Sequence, residues 1–437
     1  MTLKSKSLLV TNGHVIDPAS GVDSEMDILL RDGKVAEVAP KGNIRGSADE
    51  KFDARGLIVA PGFIDMHVHL REPGQSHKET IASGTQAAAA GGFTSVCAMP
   101  NTAPVNDSPE ITTWMGAPER GAVVNVFPIA AATIGSMGEK LTDFRALQRA
   151  GAIALTDDGK PILDDAIMRE VLRQAAQLGL PVIQHAEDTG LTSGAAMNAG
   201  PTAFRLGLRG MPEEAEALIV ERDIKLAAQT MAHLHVAHIS TAAALKAVRK
   251  AKRERLRVSC EITPHHFTLI DEDLDADSSL AMYDSRFKMN PPLRSAADRE
   301  AMLGALADGA IDAIATDHAP HAAQEKDAEF DRAPFGITGL ETALGLAISR
   351  LHRDKRLPLT RIVELFSTNP ARLLNLRGRG SLAVGSEADV TIFDPTKRWL
   401  YDAERSLSKS KNSPFGAWTL HGRVMVTIVG GSIVHRL

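Results

Sequence analysis

Short apolar runs separated by turn residues mark both ends of the chain. Residues 7–60 alternate such runs with the dipeptides Asn12-Gly13 and Asp32-Gly33, and residues 381–437 repeat the style. Such a pair between apolar runs is typical of a hairpin between antiparallel strands. We therefore predict a meander of short strands at each end, and we expect the two ends to pair into one small β-sandwich.

The middle of the chain has a different pattern, in which apolar runs alternate with Ala- and Leu-rich stretches of helical period. Strands that alternate with helices build a parallel sheet, and eight of them close a barrel. The predicted strands cover residues 58–70, 93–99, 123–130, 152–156, 181–185, 234–239, 258–263 and 311–316. The predicted helices include residues 79–90, 164–178, 213–232, 241–255 and 296–307. We predict an α/β fold, with a (β/α)8 TIM-type barrel at residues 58–375 and a β-sandwich domain formed by residues 1–57 and 376–437.

Composition adds few constraints. The 437 residues are 44% hydrophobic and 24% charged, with a formal net charge of -5, as in an ordinary globular protein. The basic run at residues 249–257 is typical of a solvated helix end rather than a phosphate site, so we expect no nucleic-acid partner. Cys97 and Cys260 lie in strand-like runs that favour buried, reduced thiols. No apolar run approaches membrane-spanning length, and we predict a cytoplasmic protein without a membrane partner.

The first chemical signal is the pair His67 and His69 at the end of the first predicted barrel strand. In a strand, residues i and i+2 face the same side, so both imidazoles are placed to bind one metal ion. Two histidines at this spacing are, on their own, more often packing or surface residues. Their weight comes from the residues that follow the other strands.

Nearly every later predicted strand also ends in a polar residue that suits a metal ion or a carboxylate. These residues are Asn101, Asp157, Asp158, His185, His238, Asp317, His318 and His321, and Arg71 joins His67 and His69 after the first strand. Catalytic residues of barrels lie at this carboxyl-terminal rim. Four imidazoles and two carboxylates exceed the needs of one tetrahedral zinc ion, so we predict two divalent ions that share Asp157 or Asp158. Such a centre acidifies water for attack on an amide or imide carbon.

Longer motifs extend this pattern, in order, over almost the whole chain. They are HVHLREPG at 67–74, MPN at 99–101, TDDG at 156–159, HAED at 185–188, HIS at 238–240, TPHH at 263–266, KMNPPLR at 288–294, ATDHAPH at 315–321 and APFG at 333–336. The histidines with Asp317 resemble the amidohydrolase superfamily, and the full series resembles class I dihydroorotase.

The resemblance implies reversible, zinc-dependent interconversion of N-carbamoyl-L-aspartate and dihydroorotate, small molecules of pyrimidine synthesis. It implies two Zn²⁺ ions, with His67, His69 and Asp317 on one ion, His185 and His238 on the other, and Asp158 across both. A hydroxide that bridges the metals is implied as the nucleophile, and Asp317 as the proton shuttle, which takes the proton from that hydroxide and delivers it to the leaving amide nitrogen.

The resemblance also implies the substrate contacts. The implied residues are Arg71, Asn101 and His321 on the substrate carboxylate, Asn290, Phe335 and Gly336 along the ring, and His69 beside both metal and substrate. Arg71 suits this role because a guanidinium binds a carboxylate through two parallel hydrogen bonds.

Neighbouring polar residues receive supporting roles. We expect His265 and His266 to pack near the site rather than bind metal, and Asp65 to orient neighbouring groups. The segment from His321 to Gly336 is polar. We predict that residues 322–335 form a mobile lid, with an ordinary surface loop as the alternative.

Two other functions are weighed. A hydantoinase- or allantoinase-type cyclic amidase shares the barrel and metals, but many such enzymes bridge the metals with a carbamylated lysine. Lys160 lies near that position, yet Pro161 follows it and indicates that the chain has turned away. A non-catalytic dihydroorotase-like scaffold for aspartate transcarbamoylase is expected to have lost metal ligands, and this chain keeps them. We expect a homodimer, and the sequence leaves association with aspartate transcarbamoylase open.

Overall fold

A computed structural model describes residues 7–275 and 283–437 of the chain. Its strands are β1 Ser7–Asp17, β2 Val22–Arg31, β3 Lys34–Pro40, β4 Glu50–Asp53, β5 Ile58–Pro61, β6 Phe63–Val68, β7 Phe93–Ala98, β8 Asn125–Pro128, β9 Ala130–Ala131, β10 Leu155–Thr156, β11 Val182–Gln184, β12 Met197–Asn198, β13 Gly210–Met211, β14 Leu234–Val236, β15 Val258–Ile262, β16 Ala313–Ile314, β17 Val390–Leu400, β18 Thr419–Val429 and β19 Ser432–Arg436.

The α-helices fall mainly between the parallel strands. They are α1 Ile81–Ala90, α2 Pro109–Met115, α3 Phe144–Arg149, α4 Asp165–Leu178, α5 Thr189–Thr192, α6 Pro201–Leu206, α7 Glu214–Thr230, α8 Ala242–Arg253, α9 Ala296–Asp308, α10 Ala323–Lys326, α11 Ala343–Ala347, α12 Leu359–Val363 and α13 Asn369–Leu373. The five predicted helices are present as α1, α4, α7, α8 and α9, with ends within two residues of the prediction. Within the described ranges, no helix is both long enough and apolar enough to cross a membrane.

The two ends of the chain pair into one mixed sheet. Its strand order is β19-β18-β17-β5-β1-β2-β3, and β4 pairs with β1 at the side. The predicted hairpin is confirmed, because Asp32 and Gly33 form a two-residue turn between β2 and β3 with φ of 53° and 75°. Positive φ at both turn positions matches the right-handed twist of the paired strands.

Asn12-Gly13, predicted as a turn, is instead a bulge inside β1. The register of β1 against β2 shifts between Val10 and Gly13, and Asn12 has a φ of 58°. A Cβ atom on Gly13 would lie 2.4 Å from the side chain of Val59. Glycine is therefore needed here for close approach of two strands rather than for a chain reversal.

The single predicted strand 58–70 is wrong, because the chain changes sheets at Gly62. β5 pairs with β1 and β17 in the mixed sheet, whereas β6 pairs with β7 in a parallel sheet. A Cβ atom on Gly62 would lie 2.1 Å from the hydroxyl of Thr94. Both strands are buried, so the sequence is apolar throughout and its pattern does not show where one strand ends and the other begins.

The remaining predicted strands are present, but shorter than predicted. They form a parallel three-stranded sheet, β6-β7-β8, and a parallel six-stranded sheet, β16-β15-β14-β11-β10-β9. Hydrogen bonds link the two sheets at both margins: His69 N donates to His318 O at 2.9 Å, and Ile129 N donates to Ala98 O at 2.9 Å. The carboxyl ends of successive strands therefore lie side by side.

Helix α4 illustrates how the helices cover the strands. Its buried residues, Met168, Val171, Leu172 and Ala175, recur at the spacing of one helical face. Asp164 caps the first turn through hydrogen bonds from two backbone N–H groups, and Gly179 ends the helix with a φ of 69°. The apolar face contributes to the large core between strands and helices.

Phenylalanines join the mixed sheet to the parallel strands. The ring of Phe63 on β6 stacks on Phe366 at 5.2 Å and lies 6.1 Å from Phe393 on β17. A second, aliphatic cluster fills one face of the mixed sheet. Cys97 and Cys260 are buried and free, which confirms the prediction for the cysteines.

Candidate metal centre

Six predicted metal ligands converge where the parallel strands end. They are His67 and His69 from the end of β6, Asp158 after β10, His185 after β11, His238 after β14 and Asp317 after β16. Asp158 Oδ1 lies 3.4 Å from His67 Nε2 and 3.9 Å from His185 Nδ1. Asp317 Oδ1 lies 3.0 Å from His69 Nε2 and 3.5 Å from His67 Nε2. Each of these side chains is buried.

Two overlapping triplets of side chains are spaced to hold a metal ion. One is His67, Asp158 and His238, the other is His67, His69 and Asp317, and the ligand atoms of each lie within 4.8 Å of one another. His67 Nε2, Asp158 Oδ1 and His238 Nδ1 are buried without a hydrogen-bond partner. Buried polar atoms normally have partners, and these imidazole and carboxylate atoms are ligands that Zn²⁺ takes. The residues present therefore fit a metal ion.

His185 stands apart from both triplets. Its Nδ1 lies 3.0 Å from His238 Nε2, and its Nε2 donates to Glu187 at 3.0 Å. The sequence predicted that His185 and His238 share an ion. The structure brings the two rings into contact, with centroids 4.7 Å apart. It also places His238 in one triplet with His67 and Asp158.

The electrostatics of the cluster favour a cation beside its carboxylates. Burial opposes the charge on His67, but Asp158 and Asp317 outweigh it and raise the pKa of His67 well above its ordinary value. Burial likewise opposes ionisation of Asp158, but His67, His69 and His185 hold its pKa well below its ordinary range. Ionised carboxylates in such a buried place require positive charge beside them, which a bound metal ion would supply.

Asp158, rather than Asp157 or Lys160, faces the cluster. Asp157 accepts a hydrogen bond from Thr133 N at 2.9 Å and another from the Thr133 hydroxyl, on the side away from the histidines. Lys160 is exposed, with Nζ 3.8 Å from the sulfur of Met137. The structure therefore separates the candidates that the sequence left open.

A cavity of about 200 Å³ opens above the cluster. Its walls include all seven residues predicted to contact substrate: His69, Arg71, Asn101, Asn290, His321, Phe335 and Gly336. Asp158, His185, His238 and Asp317 line the same cavity, together with Gly159 and Ala319, while His67 lies beneath it. This volume suits a small, polar ligand.

Arg71 and His321 adjoin at one wall. Arg71 Nε donates to Pro320 O at 3.1 Å, and Arg71 Nη2 lies 3.3 Å from His321 Nε2. His321 Nε2 donates to Phe335 O at 2.8 Å, and burial together with the charge of Arg71 lowers the pKa of His321 to about 2. His321 is therefore neutral, and its unpartnered Nδ1 accepts rather than donates.

Asn101 contacts the metal-ligand candidates directly. His69 Nδ1 donates to Asn101 Oδ1 at 2.8 Å, and Asn101 Nδ2 donates to Asp158 Oδ2 at 3.3 Å. A hydrogen bond at Nδ1 leaves the Nε2 of His69 free to bind a metal. Asn101 thus orients ligands in addition to lining the cavity.

Sequence reasoning missed two glutamates that contact the histidines, the half-buried Glu187 and the buried Glu261. Glu187 accepts hydrogen bonds from His185 at 3.0 Å and from Asn290 at 2.8 Å. Glu261 accepts one from His67 Nδ1 at 2.9 Å. The signals were present, because Glu187 lies two residues after His185 and Glu261 interrupts an apolar strand.

The supporting residues lie where expected. His266 hydrogen-bonds to Thr263 and donates to Pro291 O at 3.1 Å, and it belongs to neither metal triplet. Asp65 accepts hydrogen bonds at 3.1 Å from the backbone N of His67 and of Thr316, so it ties the ends of β6 and β16 together.

The segment from residue 322 to 335 packs against the site wall. Lys326 Nζ donates to Pro334 O at 2.8 Å and to Lys288 O at 3.3 Å. Phe330 is buried in a small apolar cluster with Met197 and Leu206. These contacts describe a closed position of the segment, and its mobility stays a prediction.

Comparison with solved structures gives the class of fold. The L-hydantoinase (dihydropyrimidinase) from Arthrobacter aurescens superposes with a TM-score of 0.86 at 25% identity, and the match covers 98% of this chain and 96% of that chain. The dihydropyrimidinase from Brevibacillus agri NCHU1002 matches with a TM-score of 0.83 at 24% identity, over 98% and 95% of the two chains. The fold is therefore that of the barrel hydrolases of the amidohydrolase superfamily.

Sequence relatives narrow this class. Residues 56–244 match the family model described as dihydro-orotase-like. A dihydroorotase of Solibacter usitatus is 51% identical over 427 residues, which is 98% of this chain and 97% of the relative. A dihydroorotase of Anaeromyxobacter dehalogenans is 50% identical over 432 residues, 99% and 98% of the two chains. The chain belongs to the dihydroorotase family.

Proposed function

We propose that this protein is a zinc-dependent dihydroorotase that interconverts N-carbamoyl-L-aspartate and dihydroorotate. The observation that carries the proposal is the buried cluster of four imidazoles and two carboxylates, with unpartnered ligand atoms, at the floor of a small polar cavity. Family membership at about half identity over nearly the full length supports the same reaction. Membership of class I stays a prediction.

Two Zn²⁺ ions are proposed for the cluster. The proposed ligands are His67, His69, Asp158, His185, His238 and Asp317, with Asp158 between the ions. Divalent ions in such a site polarise a carbonyl group and acidify water. The position of Asp158 supports the bridging role: Oδ2 lies 3.6 Å from His69, a proposed ligand of one ion, and Oδ1 lies 3.9 Å from His185, a proposed ligand of the other.

Asp317 is proposed to move the proton. In ring opening, the attacking water gives a proton to the Asp317 carboxylate as the new carbon–oxygen bond forms. Asp317 then delivers that proton to the ring nitrogen as the carbon–nitrogen bond breaks, and ring closure follows the reverse path. Its position supports this role, since Asp317 lines the cavity floor and lies 3.0 Å from His69.

Arg71 and Asn101 are proposed to donate hydrogen bonds to the substrate carboxylate, with His321 beside Arg71 in the same wall of the cavity. Arg71 supplies the charge, and burial of its guanidinium strengthens a charged hydrogen bond to a bound carboxylate. His321 lies beside Arg71, and because it is neutral it does not draw the substrate carboxylate away from the guanidinium. Asn290, Phe335 and Gly336 line the same cavity, and the ring is proposed to lie along them.

For the architecture, we infer that the two parallel sheets form one closed (β/α)8 barrel at residues 58–375. The hydrogen bonds that join β6 to the end of β16, and the end of β7 to Ile129, support closure. We infer that residues 1–57 and 376–437 make up a separate sandwich domain, which the shared mixed sheet supports. A homodimer, and association with aspartate transcarbamoylase, stay predictions.

The hydantoinase alternative is supported by fold alone. The hydantoinases match at about a quarter identity, whereas the dihydroorotases match at about half. Lys160 points to the surface, so the proposed bridge is a carboxylate. The scaffold alternative is disfavoured because every proposed metal ligand is present and converges.

Assay of the purified full chain tests the proposal. Dihydroorotate opening and closing are measured beside hydantoin and allantoin, with metal content determined in the same sample. We expect turnover of dihydroorotate alone, about two zinc ions per chain, loss of turnover after chelation, and recovery on adding Zn²⁺. Asp158→Asn should lose both metal and turnover, and Asp157→Asn is its matched neighbour. Turnover of hydantoin without dihydroorotate contradicts the proposal.

A further inference from the structure

A carboxylate lies deep among the parallel strands, below the metal centre. Glu261 on β15 is 1% exposed, and its backbone pairs with Ala313 of β16. Interiors of such strand sets are usually filled with branched aliphatic side chains. A buried charge is costly unless hydrogen bonds compensate it. Glu261 therefore needs a specific reason to be there.

Glu261 begins a chain of hydrogen bonds that leads away from the site. Its Oε1 lies 2.9 Å from His67 Nδ1, and its Oε2 lies 3.1 Å from His235 Nε2. His235 Nδ1 lies 2.8 Å from Ser259 Oγ, and Ser259 Oγ lies 2.8 Å from His233 Nε2. β14 and β15 hold this chain in register, because His235 pairs directly with Ser259.

The donor and acceptor of each bond follow from the chemistry of the groups. An ionised carboxylate only accepts, so both His67 Nδ1 and His235 Nε2 donate to Glu261. His235 Nδ1 then accepts from the Ser259 hydroxyl, whose oxygen accepts from His233 Nε2. Every member has one consistent role, and His67 is left with a bare Nε2 directed at Asp158 and Asp317.

The charge of Glu261 is maintained by these partners. Burial alone would raise the pKa of Glu261, but the hydrogen bonds from His235 and His67 outweigh burial and lower it to about 2. Two N–H groups point at this one buried carboxylate, so the geometry keeps Glu261 an acceptor. His233 at the far end is neutral, because burial and the nearby charge of Arg257 lower its pKa to about 3.

We propose that Glu261 is a positioning residue, which, supported by His235 and Ser259, fixes His67 as the Nδ1–H tautomer and aims its Nε2 at the metal. The inference rests on the proposed metal centre. His67 belongs to both metal triplets, so its orientation affects the shape of the whole metal centre. Partners that hold the second nitrogen of a metal-bound histidine raise metal affinity and fix the ring.

Zinc affinity of the full chain, measured by competition with a chromophoric chelator, tests the proposal. Glu261→Gln keeps the shape, but its amide cannot accept from two N–H groups, so affinity should fall about 10–100-fold. His235→Gln should cost less than Glu261→Gln, and Ser259→Ala less again, since each lies farther from His67. Asp17→Asn is the matched control: Asp17 is 1% exposed and accepts several hydrogen bonds, but it lies in the mixed sheet.

Each outcome bears on a separate claim. Affinity of folded Glu261→Gln within about twofold of wild type overturns the positioning role, as does an equal loss in Asp17→Asn. If Glu261→Gln does not fold, ¹⁵N chemical shifts of the His67 imidazole in the zinc-loaded wild-type chain decide instead: a proton on Nδ1 supports the proposal, and one on Nε2 overturns it. Wild-type protein that binds no zinc contradicts the proposed function itself.

Discussion

The mixed sheet and the parallel strands of this protein differ in their roles: the sheet provides stability, and the ends of the parallel strands provide the site. β1, β17 and β18 of the mixed sheet are 11 residues long, whereas β10 and β16 among the parallel strands are two residues each. Long ladders satisfy the backbone and bury a continuous aliphatic cluster. The short parallel strands end after a few residues, and the loop residues that follow them form the site.

Unsatisfied polar atoms follow the same division. In the ranges that the structure describes, none of the buried side-chain atoms without a hydrogen-bond partner lies in β1–β5 or β17–β19. His67, Asp158 and His238 each carry one at the metal centre, and His321 carries one in the cavity wall. The mixed sheet thus satisfies its buried polar atoms, which favours stability. The ends of the parallel strands leave several polar atoms without protein partners, where a ligand can bind.

The largest effect is expected at the strand ends. Asp317→Asn should lower kcat/KM for dihydroorotate about 10²–10⁴-fold, because the proton shuttle is lost. The free energy of unfolding of the metal-free protein should change little. Asp312→Asn, at the opposite end of the same short strand, is the control. In the wild-type protein the Asp312 carboxylate accepts hydrogen bonds from Lys252 and from Cys260 N, away from the cavity. Steady-state kinetics and urea unfolding measure the two quantities, and equal kinetic losses in both variants contradict the role of Asp317.

The next effect is expected where the two regions meet. Phe393→Ala should lower the free energy of unfolding by about 3–5 kcal/mol, because a fully buried ring is removed from the contact with Phe63. The kcat of the fraction that stays folded should match the wild type. Phe393→Leu should lose less than Phe393→Ala. A large fall in kcat for the folded variant would show that the sheet and the site are more tightly coupled than this division implies.

The smallest effect concerns pH. Burial, with the charge of Lys288 nearby, lowers the pKa of Lys326 to about 7 from an ordinary value of 10.5. Between these values the unfolded chain binds the extra proton, so stability rises with pH from 7 to 10, by at most about 1.4 kcal/mol per pH unit. Lys326→Met should remove this slope, while the exposed Lys225→Met should keep it. Urea unfolding at several pH values measures the slope, and identical slopes in all three proteins contradict it.

Much of the fold was predictable because its signals are local. The Asp32-Gly33 hairpin, the face of α4 and the alternation of parallel strands with helices each depend on residues close in sequence. The convergence of His67, His69 and Asp317 was predictable too, since parallel strands place their carboxyl ends together.

The rest depended on contacts between distant residues. The switch of sheets at Gly62 is set by Thr94 and by a hydrogen bond to Asp389 O, neither of which can be read from an apolar run. Glu187 and Glu261 gain their meaning only from the histidines that they meet. Asp157 and Asp158 are adjacent in sequence, and only Thr133 shows which one turns away.

The place of β5 between β1 and β17 has a consequence for synthesis on the ribosome. Thr391 of β17 pairs with Ala60 of β5 and accepts a hydrogen bond from Phe63 N, 328 residues earlier in the chain. The edge of β5 therefore stays unpaired while about that length of chain is translated. At about 5–20 residues per second, the wait is roughly 15–65 s. An open strand edge is a template for wrong pairing throughout that time. The nascent chain is therefore most exposed to aggregation at the element directly before the first metal-binding histidines.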